Sequence, residues 1–281
     1  MRTLRTASLF VYEWGEPDDP AVLYWDGVGG TGLHANEIAP ILVADHGLRV
    51  VAPDAPGHGR SPALQADAYR PSRLAEAATR LLDELEVERV HFVGFSWGAR
   101  VGCAFAARFS ERTASLALVE GGTPWPQESL DLAACVEEAR EELEEESFAS
   151  WEAFFAYERE SLRRWTPAVA EAHEAIMREQ DGRVVPIVDE ATLGAISYGN
   201  RLEPVTESYP AIAGAGVPVL LVYASRRSRE EPVAQFETAL PNAQVVPIPD
   251  AIHDLVSFAP DEVANLVGTF VAQPARVQPP P

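Results

Sequence analysis

The sequence predicts an α/β protein in which a mostly parallel central sheet is covered by helices on both faces. Short apolar segments alternate with segments of helical periodicity along most of the 281 residues. Two of these apolar segments end at a proline or a glycine turn, as is typical of parallel strands buried on both faces. The alternation is interrupted once, so the sequence predicts one α/β domain with an insert.

The strands and helices before the insert follow from two patterns. Runs of β-branched, aromatic and aliphatic residues bounded by turn residues predict strands. Apolar residues at helical spacing predict helices. The strands are expected at Leu4–Trp14, Ala21–Trp25, Leu48–Ala52, Arg89–Val93 and Ser115–Val119, and the helices at Leu74–Leu85 and Ala99–Phe109.

The same rhythm resumes after the insert and sets the predicted domain boundaries. Strands are expected at Val217–Tyr223 and Gln244–Val246, and helices at Val233–Leu240 and Asp261–Ala272. We therefore expect residues 1–122 and 211–272 to form the α/β core and residues 123–210 to form a cap. The proline-rich tail, residues 273–281, is expected to be disordered.

The predicted cap is acidic and helical. It carries 20 acidic and 7 basic residues, and helical periodicity is found at Leu130–Glu146 and Phe148–Trp165. A helical cap over an edge of the sheet fits this pattern best. Its charge predicts that cationic substrates are favoured over dianionic ones.

Composition excludes several classes of function. A formal charge of -21 repels nucleic acid and anionic membranes. No apolar run approaches the roughly 20 residues of a membrane span, so a cytoplasmic protein is expected. We expect it to be a monomer or a homodimer. The two cysteines, Cys103 and Cys135, are expected to be reduced and buried.

One segment carries the signature of nucleophilic catalysis. Gly94-Phe95-Ser96-Trp97-Gly98 follows a predicted strand and precedes a predicted helix. Glycines two residues on either side of a serine allow a sharp turn that holds the hydroxyl at the carboxyl edge of the sheet. Ser96 is therefore the predicted nucleophile.

Over about Leu4–Ala272 the chain resembles the α/β-hydrolase family. Residues 54–61, Asp-Ala-Pro-Gly-His-Gly-Arg-Ser, are similar to the family's D-x-P-G-x-G-x-S turn. The resemblance makes His58 a structural loop residue. It also implies an oxyanion hole formed by the backbone amides of Val28 and Trp97.

Asp26 stands where the family usually has histidine before the oxyanion loop. Two interpretations are open. The carboxylate either hydrogen-bonds the loop's own amides, or brings a negative charge close to the place where the oxyanion forms.

The resemblance places the general base at His253, after the last strand, whereas the acid departs from the family pattern. Arg227 occupies the position where the family's usual aspartate is expected. Some members carry the acid after the sixth strand, where this chain has Glu120. Glu120 is the predicted acid, with Glu230 or Glu231 as the alternative and a Ser–His dyad as the third possibility.

These residues predict a serine hydrolase that cleaves a carboxylic ester, thioester or lactone, a small-molecule acyl substrate, through an acyl-enzyme. The alternatives are a non-hydrolytic enzyme of the same fold, such as a lyase, cyclase or acyl transferase, and a catalytically silent binding protein. Because G-x-S-W-G also resembles proline iminopeptidases, an aminopeptidase is a further alternative. No metal-binding spacing occurs in the sequence, so neither cofactor nor metal is predicted.

Overall fold

The computed structural model of the chain describes residues 1–125 and 131–273. Eight strands within these residues form one sheet, and two more form a separate hairpin. The ten strands are β1 (Arg2–Arg5), β2 (Phe10–Trp14), β3 (Ala21–Trp25), β4 (Arg49–Pro53), β5 (Val90–Phe95), β6 (Thr113–Val119), β7 (Met177–Gln180), β8 (Arg183–Pro186), β9 (Val219–Ala224) and β10 (Gln244–Ile248).

The large sheet has the order β1-β2-β4-β3-β5-β6-β9-β10. β1 and β2 are antiparallel, as are β2 and β4, and all other neighbours are parallel. The predicted mostly parallel sheet is confirmed. The single strand expected at Leu4–Trp14 is instead two, because the chain reverses at a turn closed by the Thr6 amide and the Leu9 carbonyl, 3.0 Å apart.

Helices cover both faces of this sheet. The α-helices of the described residues are α1 (Ala39–His46), α2 (Pro71–Glu84), α3 (Trp97–Arg108), α4 (Leu132–Glu145), α5 (Trp151–Ser161), α6 (Pro167–Glu174), α7 (Glu190–Leu202), α8 (Tyr209–Ala215), α9 (Glu230–Ala239), α10 (Leu255–Phe258) and α11 (Pro260–Val271).

The alternation of side chains along each strand builds two apolar layers. Leu23 and Trp25 of β3 face one layer, which includes residues of α2, α3, α8 and α9. Val22 and Tyr24 face the other layer, which includes residues of α1, α10 and α11. Both faces of β3 are fully covered, which explains why this strand reads as a continuous apolar run.

The insert between β6 and β9 contains helices α4 to α8 and the antiparallel hairpin of β7 and β8. A purely helical cap was therefore the wrong expectation. The hairpin turns at Asp181-Gly182, both at positive φ, a dipeptide that favours such turns. The core and cap boundaries stay predictions.

Two further sequence expectations need correction or fall outside the described residues. The helix expected at Phe148–Trp165 is shorter, because Phe148 pairs with Val184 of β8 and the Ser150 hydroxyl caps α5 by accepting from the Ala153 amide. The predicted disordered tail lies beyond the described residues except for Gln273. No helix in the described parts of the chain has both the length and the apolar character of a membrane span.

Candidate active site

Ser96 lies in a strained turn between β5 and α3. Its φ of 51° and ψ of -113° are unusual for a residue with a side chain. The close approach of α3 to β3 requires glycine at position 98, where a Cβ atom would lie 2.0 Å from the Trp25 carbonyl oxygen. This local geometry is that of a nucleophile elbow.

His253 lies in the loop between β10 and α10 and reaches the serine. Its Nε2 atom is 2.9 Å from Ser96 Oγ. The imidazole is half-exposed, with 51% of its side-chain surface accessible. When Nε2 is unprotonated it accepts the hydroxyl proton, and Nδ1 then carries the ring hydrogen.

Glu120 lies directly after β6, and its buried carboxylate faces the other side of the imidazole. Its Oε1 atom is 3.6 Å from His253 Nδ1 and accepts a hydrogen bond from Arg229 Nη2 at 2.7 Å. Its Oε2 atom accepts from the Ala224 amide at 2.6 Å. Burial opposes ionisation, but His253, the amide and Arg229 outweigh it and hold the pKa of Glu120 below its usual value.

The structure therefore brings Ser96, His253 and Glu120 together. The two alternative acids lie in the first turn of α9. Glu231 accepts a hydrogen bond from Gln235, and no described contact joins Glu230 or Glu231 to His253.

The loop after β3 packs on the nucleophile. A Cβ atom at Gly27 would lie 3.2 Å from Ser96 Cβ. Within the described residues, the amides of Val28 and Trp97 donate no hydrogen bond. Free backbone amides are what an oxyanion hole requires, so both amides fit the predicted role.

His58 supports this loop, and it is not positioned as a base. Its Nε2 atom accepts from the Gly29 amide at 3.0 Å, its Nδ1 atom lies 3.0 Å from the Pro56 carbonyl, and its ring stacks on Trp97. Burial lowers the pKa of His58, so the neutral ring acts as a structural link.

Of the two interpretations of Asp26, the one in which its carboxylate bonds the amides of its own loop is wrong. Its Oδ1 atom accepts from the Tyr24 hydroxyl at 3.0 Å and lies 2.8 Å from His34 Nδ1. The charge of His34 therefore faces Asp26 from within the core, where burial strengthens the attraction.

His34 joins the loop after β3 to the loop that carries His253. Its Nε2 atom lies 3.0 Å from Asp254 Oδ1, next in sequence to His253. Burial opposes protonation of His34, but the two carboxylates outweigh it and raise its pKa well above the usual value. His173 of α6 lies 3.7 Å from the other Asp254 oxygen and 2.8 Å from Glu158 of α5, so the insert also contacts this network.

Sequence reasoning missed this network. Asp254 could have been noticed because it follows the predicted base in the sequence. His34 is 220 residues away from Asp254 and belongs to no motif.

Cys103 and Cys135 are both buried and unpaired, and burial raises the pKa of Cys103 to about 12. No group of His, Cys, Asp or Glu side chains in residues 1–125 and 131–273 is arranged to hold a metal ion.

A cavity of about 420 Å³ opens above Ser96 and His253. Its described lining includes one carboxylate, that of Glu120. Three arginines also line it: Arg100, Arg226 and Arg229. The side chain of Arg227 lies outside the described parts of the structure.

Comparison with known proteins places these features in a wider group. A model of the alpha/beta hydrolase fold matches residues 20–260. Over 113 residues the chain is 34% identical to a 2-hydroxy-6-oxo-6-phenylhexa-2,4-dienoate hydrolase from Burkholderia cepacia. The matched region covers 38% of this chain and 39% of that protein. Over 138 residues it is 31% identical to a 2-hydroxy-6-oxononadienedioate/2-hydroxy-6-oxononatrienedioate hydrolase from Klebsiella pneumoniae, with coverage of 46% and 47%. The chain thus matches less than half the length of these relatives.

Solved structures share the fold over nearly the whole chain. A thioesterase domain from the curacin biosynthetic pathway has a TM-score of 0.74 at 24% identity, covering 95% of this chain and 98% of that one. An enol-lactonase from Burkholderia xenovorans LB400 has a TM-score of 0.68 at 20% identity, with coverage of 97% and 100%. At these identities the likeness concerns the fold alone.

Proposed function

Because the chain belongs to the alpha/beta hydrolase fold family, we propose that it is a serine hydrolase that cleaves a carboxylic ester, thioester or lactone through an acyl-enzyme. The observation that carries this proposal is the distance of 2.9 Å between Ser96 Oγ and His253 Nε2. A serine hydroxyl is a weak nucleophile until an adjacent base accepts its proton.

The reaction begins when Ser96 Oγ attacks the substrate carbonyl and His253 Nε2 takes the hydroxyl proton. The amides of Val28 and Trp97 donate to the developing oxyanion, and such preorganised donors each contribute about 3–4 kcal/mol to transition-state stabilisation. His253 then donates its proton to the leaving group. Water attacks the acyl-enzyme by the same route, which releases the acid and restores Ser96.

Glu120 acts on His253 in this proposal. Its negative charge stabilises the imidazolium that forms during each proton transfer and keeps Nδ1 protonated. Arg229 and the Ala224 amide hold the carboxylate in place. Glu120 is thereby assigned as the acid of the triad, in preference to Glu230 and Glu231.

The test is to label the purified protein with a fluorophosphonate and to screen p-nitrophenyl esters, thioesters, lactones and aminoacyl arylamides. Labelling at Ser96 that Ser96→Ala abolishes, together with release of the free acid, supports the proposal. Labelling without a hydrolysed product favours a lyase, cyclase or acyl transferase. Turnover of arylamides alone favours an aminopeptidase, and absence of labelling favours a binding protein.

Turnover should not depend on an added cofactor or metal, which dialysis against a chelator checks. A cytoplasmic location and a monomeric or homodimeric state stay predictions.

A further inference from the structure

Arg100 lies in α3, four residues after the nucleophile. Arg100 therefore lies about one helical turn, or ~6 Å along the axis, beyond the helix start at Ser96. Arg100 lines the cavity that contains Ser96 and His253. Its guanidinium is therefore available to a molecule bound at the nucleophile.

Within the described residues, this arginine has no counter-ion. It makes no ion pair and donates no hydrogen bond. Glu231 and Glu203 line the two neighbouring cavities together with Arg100, yet neither pairs with it. Burial lowers the pKa of Arg100, and the contributions of Cys103 and Tyr209 only partly offset that effect.

Arg100 is partly buried, and a partly desolvated cation that has no counter-ion among the described residues can gain free energy by binding an anionic ligand. The other arginines of the cavity differ in this respect. Arg229 donates to Glu120 at 2.7 Å, and Arg226 lies 3.8 Å from the same carboxylate. Glu120 is thus already shared by two arginines and His253, and no other carboxylate among the described residues pairs with Arg100.

The lining of the cavity includes a second polar group without a partner in the described structure. Asn200 of α7 lines the cavity, and its side-chain oxygen is buried without a hydrogen-bond partner in the described structure. A half-turn of the amide exchanges its oxygen and nitrogen. In that orientation the unpartnered buried atom of Asn200 is a donor.

We propose that Arg100 binds a carboxylate of the substrate, so that the preferred esters, thioesters or lactones carry a free carboxylate on the acyl part. This inference rests on the proposed function, because it assigns the substrate class of the Ser96 site. This preference for an anionic substrate is opposite to the preference for cationic substrates that the acidic cap predicts from sequence. The two preferences differ because a direct, desolvated contact with Arg100 outweighs acidic side chains that solvent separates from the cavity.

The test compares two matched substrates within each protein variant. One is the mono-p-nitrophenyl ester of succinate, glutarate or adipate, and the other is the same ester with its second carboxylate capped as a methyl ester. In the wild type we expect kcat/KM to favour the free carboxylate on the order of 10- to 100-fold, the value of a charge-assisted hydrogen bond. The ratio within one variant cancels any general loss of activity or fold.

Arg100→Gln should reduce this ratio, measured after subtraction of the uncatalysed rate, to about one. Arg100→Lys should retain part of it, because it keeps the charge but loses the fork of donors. The matched control is Arg108→Gln, which removes an exposed positive charge from the same helix and should keep the full ratio. A wild type without the preference overturns the proposal. An equal reduction of the ratio in Arg100→Gln and Arg108→Gln also overturns it, because the preference would then come from the long-range electrostatic field of the protein.

A binding measurement separates failure of this proposal from failure of the proposed function. Calorimetry on Ser96→Ala should detect glutarate but not glutaramide, and the double variant with Arg100→Gln should bind neither. If no ester is hydrolysed but glutarate binding depends on Arg100, the hydrolase function is wrong and the carboxylate site stands. If the capped ester is hydrolysed and glutarate does not bind, the carboxylate site is wrong and the hydrolase function stands.

Discussion

Replacing Glu120 by glutamine removes the negative charge that faces His253 Nδ1 from 3.6 Å. Two unit charges at this separation attract by about 4–5 kcal/mol at an effective dielectric constant of ~20. Solvent reaches the half-exposed imidazole, and Arg229 already neutralises part of the carboxylate. Screening therefore leaves about 3–4 kcal/mol, which corresponds to a loss of kcat on the order of 10²- to 10³-fold.

The assay is the hydrolysis of p-nitrophenyl acetate by Glu120→Gln at neutral pH, with Tm measured to show that the fold persists. The matched control is Glu231→Gln, which changes the same side chain in the first turn of α9 and should keep its activity within about twofold. If Glu120→Gln keeps more than about a tenth of kcat, the charge contributes too little for the assigned role and the enzyme works as a Ser–His dyad. A loss in Glu231→Gln instead would move the acid to α9.

Ser96→Ala should abolish turnover and leave Tm unchanged, since the substitution makes no cavity. Adding His253→Ala should reduce activity little further, because the two residues act as a unit. Additive losses of activity would contradict that. His34→Asn removes the cation from the buried carboxylate of Asp26 and should cost roughly 3–5 kcal/mol. Because the pKa of His34 is raised above its unfolded value of 6.5, this stabilisation is complete below that pH and is lost as pH rises through the folded value. The difference in Tm from wild type should therefore narrow as the pH rises above 6.5, and a widening difference would refute the assignment. Gly98→Ala would place a methyl group 2.0 Å from a backbone oxygen of β3, so Tm and activity should both fall; normal values for both would show that the elbow can shift.

Most of the α/β core could be predicted because its signal is local. β3 was expected at Ala21–Trp25 and occupies those residues, since burial on both faces leaves a continuous apolar run. The β7–β8 hairpin was missed because three of the four residues of Met177–Gln180 are exposed and no apolar run marks them. Its turn at Asp181-Gly182 was the available signal.

The sequence by itself determined the turn that presents Ser96, because a glycine-flanked elbow between a strand and a helix is encoded within five residues. It also located His253 and Glu120 through the resemblance to the α/β-hydrolase family. Only the tertiary structure decided which charges meet. Asp26 faces His34 instead of its own loop, and Arg100 has no carboxylate partner in the described structure. Such pairings depend on the packing of segments far apart in the chain, as in the 157 residues that separate Ser96 from His253, and no local pattern specifies them.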